Sequence, residues 1–203
     1  MTPVDTATTT SPAAAGLRDF ATALDACHDR AASGGLVVSR GGWAVASPAR
    51  VTAGAQVPGS SGALMAERGG TPAGDRRQEA FADELIGLHR QTLREVLDGA
   101  VARLDRRVSE GANLLNRQLV QGAVADVALA LSEADDLREL PMSTPWRRWR
   151  IHRDLVNAGR TALKLYGAGG FVAGGPGTVL YLTEVLGNTY LRPEQPGPEA
   201  GDD

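Results

Sequence analysis

Phe81-Ala-Asp-Glu-Leu85-Ile-Gly-Leu88-His-Arg-Gln-Thr92-Leu93-Arg-Glu-Val96-Leu97-Asp-Gly-Ala100-Val101-Ala-Arg-Leu104 places apolar residues three and four positions apart. Phe81, Leu85, Leu88, Thr92, Val96 and Ala100 form one stripe, with Leu93, Leu97, Val101 and Leu104 beside it. That is the 3.6-residue period of an amphipathic helix, and it predicts a long helix from Gln78 to about Val108. Gly111 marks a corner. Leu114 to about Leu137 reads as a second long helix, apolar almost all round between Leu119 and Leu131 and therefore expected at the centre of the packing. Ser143-Thr144-Pro145 offers a cap and a first-turn proline for a third helix running to Tyr166. A glycine-rich break from Gly167 to Gly177 precedes a fourth, Thr178 to about Tyr190. The expected fold is mainly α, a four-helix up-down bundle spanning residues 75–191.

Before the bundle, residues 17–74 read as a short helix, a small β region and a linker. Leu17 to Ala32 has Leu17, Phe20, Leu24 and Cys27 at helical spacing, and Gly34-Gly35 stops it. Leu36–Ser39, Trp43–Ala46 and Arg50–Thr52 read as short strands, the first two joined by a hairpin turn at Arg40-Gly-Gly42. Val57 to Gly74, dense in Gly, Ser and Pro, reads as loop. Residues 1–16 lack the basic start and apolar core of a signal peptide and read as a disordered leader; 192–203 reads as a disordered acidic tail.

Composition narrows the function classes. Aromatic residues are only 4% of the chain, so Leu, Val and Ala must build the core. A net charge of -3 leaves no basic excess to displace counterions from nucleic acid. No stretch is long and apolar enough to span a membrane. The single cysteine, Cys27, cannot make an internal disulfide, which suits a cytoplasmic protein. His28, His89 and His152 show no metal-ligand spacing with one another or with Cys27, so no metal is expected.

The sharpest constellation lies around the corner. Arg107 is followed four residues on by Gly111, then by Gln118 and the pair Ala125-Asp126, and Tyr166-Gly-Ala-Gly-Gly-Phe171 breaks the later helices. In this register, and with Val96-Leu97-Asp98 one helix earlier, the stretch from about Gln78 to Tyr190 resembles the C-terminal helical domain of the acyl-CoA dehydrogenase family. The resemblance implies that Arg107 and Gln118 reach the pyrophosphate and adenine part of an FAD held mainly by a partner subunit. It also implies that the backbone at Gly167, Gly169 and Gly170 lies against a partner's flavin. Both roles suit the chemistry: a guanidinium forks onto phosphate oxygens, and glycine admits a close backbone approach. Lys164 replaces the glutamine that the family carries just before this turn, and Leu182-Thr183 replaces its Arg-Asp pair.

The family reaction removes the α proton of an acyl thioester with a glutamate while hydride leaves the β carbon for the flavin. That base usually follows the last bundle helix, where this chain has Tyr190-Leu191-Arg192-Pro193, a leucine in the glutamate's place. A second family position lies near Phe81, flanked here by Glu79, Asp83 and Glu84, none in register. Glu184, Glu194 and Glu79 are the remaining candidates for a base. The N-terminal helical domain and most of the middle domain of the family have no counterpart in this chain. The resemblance therefore implies a truncated acyl-CoA dehydrogenase-like component that completes a fuller partner's FAD site. The alternative is a non-catalytic scaffold, or a module binding an acyl thioester or an acyl carrier protein. Arg147, Arg148, Arg150 and Arg153 crowd the start of the third helix. They point either to a phosphate or acidic partner, with Trp146 and Trp149 as anchors, or to internal pairing with Asp135, Asp136, Glu139 and Asp154.

Overall fold

The computed structural model describes residues 12–109, 111–141 and 143–194. It is mainly helical, with α1 (Pro12–Ala32), α2 (Asp75–Asp105), α3 (Gln118–Glu139), α4 (Pro145–Tyr166) and α5 (Pro176–Tyr190). Three short strands, β1 (Trp43–Ala46), β2 (Ala55–Gln56) and β3 (Met65–Arg68), form a small antiparallel sheet in the order β1-β3-β2. A further pair, β4 (Val108–Ser109) and β5 (Ala112–Asn113), closes the corner between α2 and α3.

α2 is the central element. It packs on α1, α3, α4 and α5, and its buried residues include both stripes of the sequence pattern except Val101, which is half-buried. Burying a stripe this wide supplies most of the stability of such a helix, because intrinsic propensity alone is weak. Thr144 caps α4 by accepting the Arg147 amide at 3.2 Å, with Pro145 in the first turn as expected.

Several expectations are corrected. α3 is peripheral: only Val127, Leu131 and Ala134 are buried, while Leu119 is 89% and Leu129 60% exposed. Its apolar circumference meets mainly α4, so one side has no covering layer among the described residues. The first helix begins at Pro12, so residues 12–16 of the expected leader are helical; Pro at the start followed by alanines is strongly helix-forming. The expected disorder of residues 1–11 and 195–203 lies outside the described residues. Leu36–Ser39 is extended but is no ladder strand, because the Val37 amide donates to His28 Nδ1 at 3.0 Å. Arg50–Thr52 is a bend, with the Arg50 and Val51 amides both returning to the Ser47 carbonyl at 3.0 Å. Conversely, β3 runs through the expected loop and pairs Ala66 with Val45. Gly54 makes this possible, since a Cβ there would collide with the Ala66 carbonyl. The turn at Ser39–Gly42 does form, with Gly42 at φ +76° and its amide 2.9 Å from the Ser39 carbonyl.

Candidate functional site

The corner between α2 and α3 is built by Gly111 and Asn113. Gly111 sits at φ +74°, a left-handed backbone that a side chain would strain. Asn113 accepts the Leu115 amide at 2.8 Å and donates to the Asp105 carbonyl at 2.6 Å and its carboxylate at 2.9 Å. The end of α2 and the start of the next turn are thereby clamped together. The Arg107 carbonyl accepts the Leu114 amide at 2.9 Å, which fixes the Arg107 backbone while leaving its side chain exposed. Gln118 opens α3, also exposed, and α3 begins without a side-chain cap. The Val120 and Gln121 amides both return to the Arg117 carbonyl, at 2.9 and 3.0 Å, so the backbone itself closes this first turn.

The glycine break forms a 3-10 turn over Gly167–Phe171 that packs mainly on α4 and α5. The Tyr166 hydroxyl donates to the Val96 carbonyl at 2.9 Å, and the Arg103 guanidinium lies 3.3 Å from where a Gly169 Cβ would stand. Burial pushes the Tyr166 phenol above its ordinary pKa, opposed by the nearby Arg103 charge. Gly167 turns the chain at φ +60°, and Gly170 is buried against Leu163 and Tyr166. Arg103 lies in the last turn of α2, and Arg107 follows just beyond the helix end at Asp105. No hydrogen bond or ion pair joins Arg107 or Gln118 to the glycine turn among the described residues. Phe171 is 75% exposed beside this turn.

The three candidate bases separate into two places. Glu79 and Glu194 line one pocket of about 170 Å³ together with Ala82, Trp146, Arg148 and Tyr190. Glu194 lies 3.8 Å from Arg40 and Glu79 is exposed, so neither has the enclosed, desolvated setting that suits a base for a carbon acid. Glu184 lies elsewhere, paired with Arg160 at 2.9 Å. Leu191, where the resemblance would put a glutamate, is buried and apolar. Tyr190 serves the fold: its hydroxyl accepts the Val45 amide at 2.8 Å, and burial pushes its phenol well above the ordinary range.

Most of the arginine cluster on α4 is consumed internally. Arg148 is buried and forks onto Asp83 at 2.8 and 3.0 Å. Arg147 donates to the Leu140 and Pro141 carbonyls at 3.2 and 3.1 Å, and Arg150 meets Asp154 at 3.6 Å. Of the other expected partners, Asp135 is taken by Arg90. Trp146 is 57% exposed at the pocket, whereas Trp149 is half-buried with its ring 5.3 Å from His152.

Sequence reasoning did not find the pairing of His89 with His152, whose Nδ1 atoms lie 3.3 Å apart between α2 and α4. Neither apolar stripe of α2 includes His89, and only the packing of α4 brings the second ring to it. No group of three or more His, Cys, Asp or Glu able to hold a metal occurs among the described residues. No helix among them is long and apolar enough to cross a membrane. Set against known proteins, the chain matches no family model and no curated sequence.

Proposed function

We propose that this chain is an acyl-CoA dehydrogenase-like component whose helices, arranged as an up-down bundle, complete an FAD site on a fuller partner. The observation that carries the reading is the corner: Arg107, Gly111 and Gln118, spaced as in that family, lie exposed around one clamped turn. Arg107 supplies a phosphate fork, Gln118 sits at an uncapped helix start, and the exposed Gly167 leaves its backbone open to an approaching ring. The reaction class is α,β-dehydrogenation of an acyl thioester, with the partner holding the isoalloxazine and the base. Its single, buried cysteine suits a cytoplasmic setting.

The exposure of Glu79 and Glu194, with Leu191 at the usual base position, favours a second reading: a non-catalytic scaffold, or a module for an acyl thioester or acyl carrier protein. One experiment divides the two. The chain is purified alone and with a co-expressed acyl-CoA dehydrogenase-like partner, and flavin absorbance is recorded. The first reading expects flavin retained in the complex and lost, or at least tenfold weakened, in Arg107→Ala, as removal of a charged hydrogen-bonding group of about 1.5–3 kcal/mol implies. A complex whose flavin content ignores Arg107→Ala and Gln118→Ala supports the scaffold.

A further inference from the structure

A groove of about 610 Å³ runs between α1, the middle of α2 and the last turn of α3. Arg30, Arg90, Arg94 and Arg138 line it against one carboxylate, Glu84. Arg30 is held by Glu84 at 2.6 Å, and Arg90 by Asp135. Arg94 and Arg138 have no hydrogen-bond or ion-pair partner among the described residues. Two guanidinium groups therefore stand without a direct ion pair at a concavity, on a chain whose net charge is -3.

The backbone makes room for this gathering. Gly87 stands one turn before Arg90 and Gln91 on α2, and the Arg138 guanidinium reaches over it, 3.7 Å from where a Cβ would stand. The remaining wall is apolar or small: Ala23, Ala26 and Leu88, with the buried Cys27 between them. Like charges collected in a cleft repel one another and concentrate anions. A planar guanidinium fork matches phosphoryl oxygens in particular. The volume is that of a small-molecule site. At 1.5 Å per residue, Arg94 lies roughly 20 Å along α2 from Arg107, so this groove is separate from the flavin corner.

We propose that this groove binds a phosphate-bearing small molecule, with Arg94 and Arg138 on the phosphoryl oxygens and Ala23, Ala26 and Leu88 against its less polar part. The chemistry is shared by free polyphosphate and by a nucleoside diphosphate, and calorimetric titration of the full chain without flavin distinguishes them. Inorganic pyrophosphate is expected to bind, more weakly at about 150 mM salt than at about 20 mM. Tighter binding of ADP than of pyrophosphate identifies an esterified ligand resting on the apolar wall; tighter pyrophosphate identifies the free anion. Arg94→Gln and Arg138→Gln should each weaken binding about tenfold, the lower end of a charged hydrogen bond's contribution. Arg76→Gln, remote at the start of α2, should change nothing. The thermal shift given by pyrophosphate provides a second reading, expected in the wild type and absent from the double variant. No heat and no thermal shift at millimolar pyrophosphate or ADP, or equal affinity in wild type and double variant, overturns the proposal.

Discussion

His28 receives the Val37 amide on Nδ1 at 3.0 Å, so its proton resides on Nε2, which donates to the Val45 carbonyl at 2.9 Å. The ring stacks on Phe81 with centroids 4.4 Å apart. A second proton would meet the Val37 N–H head-on, and burial lowers the pKa in the same sense. His89 and His152 follow the same logic. A single N–H must lie between their facing Nδ1 atoms, and burial lowers the two to about 3 and about 4. In the unfolded chain all three titrate near the ordinary histidine value of about 6.5. Below it the unfolded state binds protons that the folded state refuses, so stability is full above about pH 6.5 and falls as the pH drops towards the folded values. The slope approaches about 1.4 kcal/mol per pH unit for each histidine involved. Urea midpoints should hold from pH 7.5 to about pH 6.5 and fall from there to pH 4.5; a flat profile would contradict the buried neutral rings. Arg148 belongs to the same scale. Its guanidinium is nearly enclosed while Asp83 is half-exposed at 51%, so Arg148→Ala removes two charge-assisted bonds and the packing of the stem. We expect a loss of about 2 kcal/mol in urea unfolding, and less for Asp83→Asn, which leaves acceptor and donor atoms in place.

At the scale of elements, α2 succeeds as the hub because its two apolar stripes together cover more than one face, enough for four neighbours. α5 approaches close enough to α4 that Gly187 lies directly on the His152 ring, and an added Cβ would overlap it. Gly187→Ala gains helix propensity of roughly 1 kcal/mol yet should lower stability by about 1–3 kcal/mol through overpacking. Thermal unfolding of that variant reads the sign: a rise in midpoint would mean that α5 is not packed on the ring. The corner shows the same dependence on local geometry. Gly111 was legible as a corner because it ends two periodic runs, but the small β4–β5 pair was not, since two-residue strands leave no period to read. The boundaries of α2 and α3 shifted by several residues for a related reason: Asn113 and the 3-10 turn at Leu114–Asn116 satisfy the helix ends through contacts that the period does not encode.

Across the whole molecule, the apolar surface of α3 is the feature least explained by the chain on its own. Leu119 and Leu129 lie exposed, with Val108 and Leu140 exposed beyond the two ends of α3, and a helix apolar on its outer side calls for a covering partner. If α3 meets a partner subunit, Leu119→Asp with Leu129→Asp should leave monomer stability within about 0.5 kcal/mol, as exposed positions do, while abolishing the larger species in sedimentation. Unchanged assembly together with unchanged stability would place the interface elsewhere.

The sequence by itself determined the helices, because period 3.6, the Thr144–Pro145 start and the glycine stops are local properties that each segment carries wherever it packs. It also determined the Arg107–Gly111–Gln118 spacing and the glycine break, which are fixed by chain position alone. Only the tertiary structure decided that α2 and not α3 is central, that Met65–Arg68 is a strand, that Arg148 belongs to Asp83, and that His89 meets His152. It also placed Glu79 with Glu194 and left Glu184 apart. Those outcomes depend on which surfaces meet across long sequence separations, and a pattern of apolar residues says that a face must be covered without saying by what.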